Sequence, residues 1–249
     1  MQFREYFIWF AWTDYDERRR SIMSLFMYET HLHTTAASAC ALYSAVQHVR
    51  YYKSAGYTGI IVTDHFFNGN CCIPRDLPWE ERVDLFCRGY EEAKAEGDRI
   101  GLSVFFGWEA NFNATEFLIY GLDKEWLKRH PDILSWTIKE QYEHIHADGG
   151  YVVHAHPFRV RPYIPEIRLF PEYVDAVEAI NAGNRNEKFD REAMIYAKKH
   201  KLRMTAGSDA HGMENIHSGV ALKKPAEDIQ DFINIIKSGK YELMKPKTD

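Results

Sequence analysis

The chain has 249 residues, of which 45% are hydrophobic and 27% are charged, and its formal net charge is −5. A chain of this length can bury a full core, and α/β barrels of this size often form one domain. The net negative charge does not indicate a protein that binds nucleic acid, although a local basic patch is not excluded.

The cysteines and the N-terminal residues indicate the cellular compartment and the domain boundaries. The four cysteines show no Cys-x-x-Cys spacing, so neither a disulfide framework nor a zinc ribbon is indicated. No apolar run approaches the ~20 residues of a membrane helix, and Phe7–Trp12 lacks the cleavage site of a signal peptide. We therefore expect a cytoplasmic protein with a single domain at residues 23–249. Residues 1–22 are expected to be an N-terminal extension, unless translation begins at Met23 or Met27.

Strand-like and helix-like segments alternate from residue 25 to the end of the chain. The predicted helices carry apolar residues at i, i+3, i+4 and i+7. About seven such alternations favour a parallel sheet closed into a barrel, whose active site lies at the carboxyl ends of the strands. The predicted strands are Leu25–His31, Gly59–Thr63, Leu102–Gly107, Phe117–Gly121, Tyr151–Val153, Ala176–Ile180 and Leu202–Ala206.

Side chains that bind metals well follow five of these strands. His31 and His33 are two residues apart, so in an extended strand they point to the same side. Any one of the residues could be a helix cap or an ordinary loop residue. Together, so many imidazoles and carboxylates in one barrel mouth would be destabilising unless a metal cluster satisfied them. The residues are His31, His33, Asp64, His65, Glu109, His154, His156, Asp209 and His211.

The other histidines give a weaker signal. His217 follows the seventh predicted strand at some distance, and its role stays open. The remaining five lie on predicted helices or helix ends and are interpreted as solvated surface residues: His48, His130, His144, His146 and His200.

Five short motifs hold the residues at the strand ends. They are His31-Leu32-His33-Thr34, Thr63-Asp64-His65, Gly107-Trp108-Glu109, Ala155-His156-Pro157-Phe158-Arg159 and Gly207-Ser208-Asp209-Ala210-His211. In this order they resemble the motifs of the PHP (polymerase and histidinol phosphatase) family, from about residue 25 to about residue 225. The resemblance implies a distorted (β/α)7 TIM-like barrel with two or three divalent metal ions, usually Zn, Mn or Fe. Most members are phosphoesterases.

The resemblance also implies a role for each matching residue. His31 and His33 would bind a first metal together with Glu109 and Asp209. Glu109 would bridge to a second metal, which His156 would bind.

A third metal would be bound by His65 and His211. Asp209 and His211 are also the residues expected to act in catalysis. His154 and Asp64 are expected to support ligands through hydrogen bonds, as the partners of metal ligands commonly do.

Two positions depart from the family pattern. Ala39 stands where members often have Asp or His, and Cys40 beside it is an alternative ligand. The fourth predicted strand, Phe117–Gly121, and the preceding Glu116 bring no histidine, although many members have one there. A centre with two metals instead of three therefore stays open.

The expected chemistry is hydrolysis of a small phosphomonoester or nucleotide by a metal-bound hydroxide, because bound divalent ions lower the pKa of water from 15.7 to about 7. Arg159, Arg161 and Arg185 are the candidates to bind the phosphate, since guanidinium groups offer paired donors. Arg159 is favoured because it lies three residues after His156.

Two alternatives stay open. The same kind of site hydrolyses amides and esters, and a fold does not fix its substrate. The chain could also be a metal-binding module without catalysis. A nucleic-acid substrate is possible but not favoured, no membrane partner is expected, and the sequence does not indicate the oligomeric state.

Overall fold

The computed structural model describes residues 25–184, 186–213 and 218–245. The extension expected at residues 1–22, Arg185 and His217 lie outside these residues. The strands are β1 (Phe26–Leu32), β2 (Gly59–Val62), β3 (Ser103–Phe112), β4 (Thr115–Tyr120), β5 (Tyr151–His154), β6 (Ala176–Asn181), β7 (Arg203–Gly207), β8 (Gly219–Leu222) and β9 (Tyr241–Met244). The helices are α1 (Ala45–Ser54), α2 (Trp79–Ile100), α3 (Lys124–Lys128), α4 (Ile138–Ala147), α5 (Glu187–His200) and α6 (Ile229–Ser238). None of these helices is both long and apolar enough to cross a membrane.

The strands form one sheet in the order β7-β6-β5-β4-β3-β2-β1-β8-β9. β1, β2 and β3 pair in parallel, as do β5, β6 and β7. The segment after β7 returns to β1, where the Ala210 N–H donates to the His31 carbonyl at 3.1 Å and the His33 N–H donates to the Ala210 carbonyl at 3.0 Å. The sheet therefore nearly closes on itself, and the prediction of a distorted TIM-like barrel is confirmed.

β4 departs from the expected parallel order, because it runs antiparallel to both β3 and β5. β3 is longer than predicted and continues past Glu109 to Phe112. Asn113 and Ala114 then have positive φ angles of 53° and 64°, which suit the tight turn of an antiparallel pair. The sequence also does not predict β8 and β9, which are antiparallel strands of only four residues each.

Capping residues fix where two helices begin. A capping box begins α4: the Glu140 N–H donates to the Thr137 hydroxyl at 3.2 Å, and the Thr137 N–H donates to the Glu140 carboxylate at 2.8 Å. Ser44 and Gln47 form a second capping box at the start of α1. These contacts satisfy backbone donors that a helix cannot pair internally. The capping box at Ser44 therefore also fixes the end of the loop between β1 and α1.

An aromatic cluster holds β1 in place beside α6. The Phe232 ring lies 5.6 Å from the Tyr28 ring and 6.4 Å from the Tyr120 ring, between centroids. The Tyr120 hydroxyl donates to the Thr30 carbonyl at 2.8 Å, next to His31. Burial of such rings is a major stabilising term, so the strand that carries the first two histidines is firmly anchored.

α1 buries a histidine that the pattern assigns to the surface. His48 is fully buried, because it lies on the same face of α1 as Ala45 and Tyr52. Burial and the charge of His211 lower the pKa of His48 to about 4, so its ring is neutral at pH 7. The prediction that His48 is solvated is therefore wrong. The other four helix histidines are half-buried or exposed: His130, His144, His146 and His200.

Gly219→Ala tests the close pairing of β1 and β8. Gly219 has φ +139°, and a Cβ there would overlap the Tyr28 backbone carbonyl. We expect the overlap to cost about 1–3 kcal/mol of unfolding free energy, in addition to the backbone strain. The matched control is Gly149→Ala, since Gly149 has φ +82° but no atom within 4 Å of the added Cβ. It should show the backbone cost alone, about 1–2 kcal/mol. Equal losses in urea unfolding would contradict the pairing.

Candidate metal centre

The side chains at the strand ends converge on Glu109 of β3. Glu109 Oε1 lies 3.2 Å from His31 Nε2 and 3.3 Å from His156 Nε2. Glu109 Oε2 lies 2.7 Å from His65 Nδ1 and 3.6 Å from His33 Nε2. Glu109 is only 1% exposed. One buried carboxylate is therefore surrounded by imidazoles from β1 and from the loops that follow β1, β2 and β5.

Asp209 closes the group from the loop after β7. Its Oδ1 lies 3.1 Å from His33 Nε2 and 3.4 Å from His31 Nε2, while its Oδ2 accepts a hydrogen bond from Arg159 at 2.6 Å. His211 Nδ1 lies 3.0 Å from the Asp209 carbonyl oxygen. The structure thus brings together every residue that the sequence predicts as a metal ligand: His31, His33, His65, Glu109, His156, Asp209 and His211.

The backbone is forced into unusual conformations at two of these residues. His156 has a φ angle of 27° and Asp209 one of 52°, a region that side chains other than glycine disfavour. Such strain persists only where surrounding contacts hold it, and it is common at functional sites. Here it turns each side chain toward Glu109 just after its strand has ended.

Glu178 of β6 is a member of the site that sequence reasoning misses. It is 1% exposed, and its Oε1 lies 3.0 Å from His31 Nδ1. Its Oε2 accepts a hydrogen bond from the His156 backbone N–H at 3.0 Å. A lone acid in the apolar strand Ala176–Asn181 is the signal that could have found it, because buried charges need partners.

Glu116 of β4 supplies a donor where the family pattern leads us to expect a histidine. Its Oε2 lies 3.4 Å from His156 Nε2, and its Oε1 accepts a hydrogen bond from the Asn111 side chain at 2.8 Å. Oxygen or nitrogen atoms of His65, Glu109 and Glu116 lie within 4.8 Å of one another. The fourth strand therefore brings a carboxylate to the centre. The antiparallel pairing of β4 with β3 makes this possible.

Ser38, which sequence reasoning also misses, connects Asp64 to His33. The Ser38 hydroxyl donates to Asp64 Oδ1 at 2.7 Å, so its oxygen accepts from His33 Nδ1 at 3.1 Å. Asp64 is fixed in turn by the Thr34 backbone N–H and hydroxyl. The expected orienting role of Asp64 thus runs through a serine, in the manner of the hydrogen-bonded partners of metal ligands.

These contacts set the tautomers of two histidines. His31 Nδ1 faces the Glu178 carboxylate and His33 Nδ1 faces the Ser38 oxygen, so each Nδ1 carries the proton. When both rings are neutral, each Nε2 then presents a lone pair, and the two Nε2 atoms are 3.1 Å apart. Two lone pairs at this distance repel each other unless a cation or a proton lies between them. The arrangement therefore fits a metal ion.

The unpaired atoms of the site give a second test of the fit. Both Glu109 oxygens and His65 Nδ1 are buried without a well-aligned hydrogen bond, although they lie close to one another. A buried polar atom without a partner costs free energy. Atoms that approach closely but are misaligned for hydrogen bonding are suited to a shared cation. Donor atoms meet in four groups: His31–His33–Asp209, His65–Glu109–Glu116, His33–His65–His211 and His31–His156–Glu178.

Buried charges shift the pKa values within the cluster. Burial raises the pKa of Glu109, but the charges of His31 and His65 outweigh it and hold that pKa well below its usual range. Burial lowers the pKa of His31, but the carboxylates of Glu178 and Asp209 hold it well above its usual range. Burial and the charges of His65 and His211 hold the pKa of His33 well below its usual range. These shifts favour an ionised Glu109 carboxylate and a neutral His33 ring.

Two other predicted residues, His154 and Arg161, do not reach the cluster. His154 stacks on Phe117, with ring centroids 5.0 Å apart, and its Nδ1 has no hydrogen-bond partner in the described part of the chain. The predicted support of a ligand by His154 is therefore absent there, because β5 ends at this residue and strand alternation does not extend to His156. Arg161 donates to the carbonyls of Val160 and Gly183, and Arg185 lies outside the described residues.

A cavity of about 370 Å³ opens onto the cluster. This volume is in the range of small-molecule sites. Arg159 and Tyr163 line it together with several of the predicted ligands, and so do Cys40 and Asn70. Phe66 and Phe67, from the loop after β2, are buried in the core and are not among the residues that line this cavity.

Comparisons with known proteins agree with this geometry. A family model described as PHP-associated matches residues 189–241, which include Asp209 and His211. The uncharacterized protein MJ0417 of Methanocaldococcus jannaschii is 28% identical over 125 residues, which are 44% of this chain and 52% of that protein. The chain thus spans about half the length of the curated relative that it matches.

Solved structures share the fold at low sequence identity. PsfC from Pseudomonas syringae has a TM-score of 0.56 at 20% identity, over 84% of this chain and 88% of its own. A Bifidobacterium adolescentis protein, provisionally assigned as a metal-dependent phosphoesterase, has a TM-score of 0.53 at 16% identity, over 75% and 88%. An amidohydrolase from Chromobacterium violaceum has a TM-score of 0.53 at 14% identity, over 74% and 87%. These neighbours support the barrel fold, and the match of residues 189–241 to the PHP-associated model agrees with the resemblance of the motifs.

Ser38→Ala tests whether the hydrogen bonds behind His33 prepare a metal ligand. The change removes the acceptor for His33 Nδ1, so we expect metal affinity to fall by roughly 10–100-fold. Ser54→Ala is the matched control, since the exposed Ser54 hydroxyl donates only to the Tyr51 carbonyl at the end of α1. Metal titration of the two variants by calorimetry would decide. Equal affinities would show that Ser38 does not prepare the site.

Proposed function

We propose that this chain is a metal-dependent phosphoesterase that hydrolyses a small phosphomonoester or a nucleotide. The coarser conclusion, a metal-dependent hydrolase, is supported by the family match and by the phosphoesterase and amidohydrolase neighbours. The observation that carries the proposal is Glu109, since each of its buried oxygens lies between imidazoles from two different segments. A carboxylate shared in this way suits a bridge between two cations, as in binuclear hydrolytic sites.

The donor atoms around Glu109 form separate groups, one for each proposed metal ion. Mixed imidazole and carboxylate donors suit Zn, Mn or Fe, and a pair of such ions supplies a lowered pKa of water and polarisation of a phosphoryl oxygen. His65 and His211 remain for a third ion. The proposed ligands of the first ion, beside Glu109, are His31, His33 and Asp209, and those of the second are His156 and Glu116.

Arg159 is the proposed phosphate-binding residue. Its guanidinium is buried and donates to Asp209 at 2.6 Å, to Asn181 at 2.7 Å and to Asn184 at 3.0 Å. Arginine has five N–H donors, so two remain for phosphate oxygens. Asp209 is proposed to act in catalysis by holding Arg159 through Oδ2 and a metal ion through Oδ1.

His211 is proposed to act beside Asp209 at the edge of the cavity. Its side chain is 30% exposed, whereas His31 and His33 are fully buried. The bond between its Nδ1 and the Asp209 carbonyl oxygen keeps the ring next to the proposed metal ligands. His211 is therefore the imidazole of the cluster that can most readily meet a substrate.

A small molecule suits the site better than nucleic acid. The cavity has a volume of about 370 Å³. Its lining carries three carboxylates, those of Glu109, Glu116 and Asp209, and one guanidinium, that of Arg159.

The protein's four cysteines are free thiols, which supports the proposed cytoplasmic location because disulfides are rare there.

Amide hydrolysis is the second candidate. The neighbour from Chromobacterium violaceum is an amidohydrolase and was solved with bound sulfate and no metal. Sulfate resembles phosphate in shape and charge, so that structure is compatible with anion binding in an amide-hydrolysing relative. The two candidates use the same proposed ligands and differ in the bond that is broken.

A panel assay tests the proposed reaction. Protein stripped with a chelator and reloaded with Zn, Mn or Fe would be given sugar phosphates, nucleotides, histidinol phosphate and acylated amino acids. We expect metal-dependent release of phosphate from at least one ester. His33→Ala is the inactive control, because it removes a proposed ligand. Cleavage of amides alone would transfer the assignment to the second candidate, and no cleavage by metal-loaded protein would leave a non-catalytic module.

Arg159→Lys tests the role of the guanidinium once a substrate is found. Lysine keeps the charge but loses the paired donors, so we expect kcat/KM to fall by about 10²–10³-fold. Arg161→Lys is the matched control, since Arg161 is in the same loop and contacts only backbone carbonyls. Similar activities of the two variants would remove Arg159 from the phosphate site.

A further inference from the structure

The segment after β6 supplies two amide groups to Arg159. Asn181 ends β6, and Asn184 ends the single 3₁₀ turn Ala182–Asn184 that follows it. Side chains three residues apart lie above one another in such a turn. Asn181 Oδ1 accepts from Arg159 Nη2 at 2.7 Å, and Asn184 Oδ1 accepts from Arg159 Nε at 3.0 Å. Two neutral acceptors therefore hold one edge of the guanidinium.

Carboxylates behind the two amides determine which way each amide points. Asn181 Nδ2 donates to Glu178 Oε2 at 2.8 Å, and Asn184 Nδ2 donates to Asp190 Oδ1 at 2.7 Å. Because an ionised carboxylate only accepts hydrogen bonds, each amide nitrogen faces its carboxylate and each amide oxygen faces Arg159. Both asparagines and Arg159 are buried. The guanidinium therefore lies in a preformed cradle.

The space around the guanidinium is matched to its size. A Cβ on Gly183, between the two asparagines, would lie 3.0 Å from Asn181 Oδ1 and 3.3 Å from Arg159 Nη2. These distances are shorter than ordinary van der Waals contacts, so a side chain at residue 183 would press on the cradle. Glycine at this position therefore lets the amide and the guanidinium approach each other.

The cradle leaves the charge of Arg159 available to a ligand. Among the hydrogen bonds that Arg159 makes in the described part of the chain, only the bond to Asp209 reaches a carboxylate. The amides accept the other two N–H groups without cancelling the positive charge. One N–H remains on each of Nη1 and Nη2, and paired donors of this kind bind two oxygens of a phosphate. Arg159 lines the cavity, so an anion there meets an oriented cation.

We propose that Asn181 and Asn184 are positioning residues that hold Arg159 in the orientation that binds phosphate. This inference rests on the proposed function and on the role of Arg159 in it. Neither asparagine is among the described residues that line the cavity, so each acts through the guanidinium. Asn181 also connects Arg159 to the metal centre, because its partner Glu178 lies 3.0 Å from His31 Nδ1.

A double-mutant cycle with Arg159 tests the positioning role. Protein loaded with Mn, with its metal content measured by elemental analysis, would be titrated with inorganic phosphate by calorimetry. We expect Asn181→Ala to weaken phosphate binding by about 10-fold, because a hydrogen bond to a charged group is lost. In the Arg159→Met background the same change should alter the affinity by less than about 2-fold, since the guanidinium that Asn181 orients is absent.

Two further variants make the cycle decisive. Asn186→Ala is the matched control, since the exposed Asn186 side chain caps α5 by accepting the Lys188 N–H at 3.0 Å. It should bind phosphate like the wild type. Asn184→Ala removes the second acceptor and should repeat the pattern of Asn181→Ala. It takes the place of Asn181→Ala in the cycle if thermal unfolding shows that Asn181→Ala is not folded.

The outcomes separate this inference from the proposed function. If the asparagine variants bind phosphate like the wild type, or if they lose affinity equally with and without the guanidinium, the positioning role is wrong while Arg159 stays the phosphate-binding residue. If Arg159→Met itself binds phosphate as tightly as the wild type, the role of Arg159 in the proposed function is contradicted. A loss of affinity confined to proteins that retain Arg159 supports the inference.

Discussion

Repulsion between buried groups is the constraint on which the structure depends. The Nε2 atoms of His31 and His33 lie 3.1 Å apart, with their lone pairs facing each other when both rings are neutral, next to a carboxylate that has no well-aligned hydrogen bond. Placing such groups away from water is costly unless something satisfies them together. A set of divalent cations would do so. The barrel therefore has the form of a preformed metal centre.

The rest of the molecule keeps these groups close to one another. Glu178 and the pair formed by Ser38 and Asp64 fix the ring orientations of His31 and His33 from behind. Positive φ angles at His156 and Asp209 direct two further side chains inward. The return of the chain from β7 to β1, through hydrogen bonds at residue 210, brings the first and last motifs together. Each contact raises the cost of moving a ligand away, so the centre is rigid before it binds anything.

The sequence predicts which side chains come together where a proposed ligand directly follows a strand. The short motifs around His31, His65 and Asp209 are local, so their placement needs only the direction of the strand before them. Glu116 is different, because its position depends on the antiparallel turn of β4 against β3. Glu178 depends on the pairing of β6 with its neighbours. Such long-range partners leave no trace in the spacing of residues along the chain.

Two histidines show the limits of pattern reasoning. His48 lies on a predicted helix, but it is on the buried face of α1 and not on the solvated one. His154 follows the fifth predicted strand, but β5 ends at this residue and its ring packs in the core. In both cases the residue is buried against aromatic rings, where a neutral imidazole packs as a flat, mostly apolar group. Residue type alone does not distinguish such a ring from a metal ligand.

The most direct test of the account is the position of metal in the protein. A crystal of the protein grown with Zn or Mn would be measured at the absorption edge of that metal. We predict anomalous peaks in contact with both oxygens of Glu109, flanked by His31, His33 and Asp209 on one side and by His156 and Glu116 on the other. A map without a peak at Glu109, in which its oxygens instead form hydrogen bonds with protonated imidazoles, would contradict the metal centre.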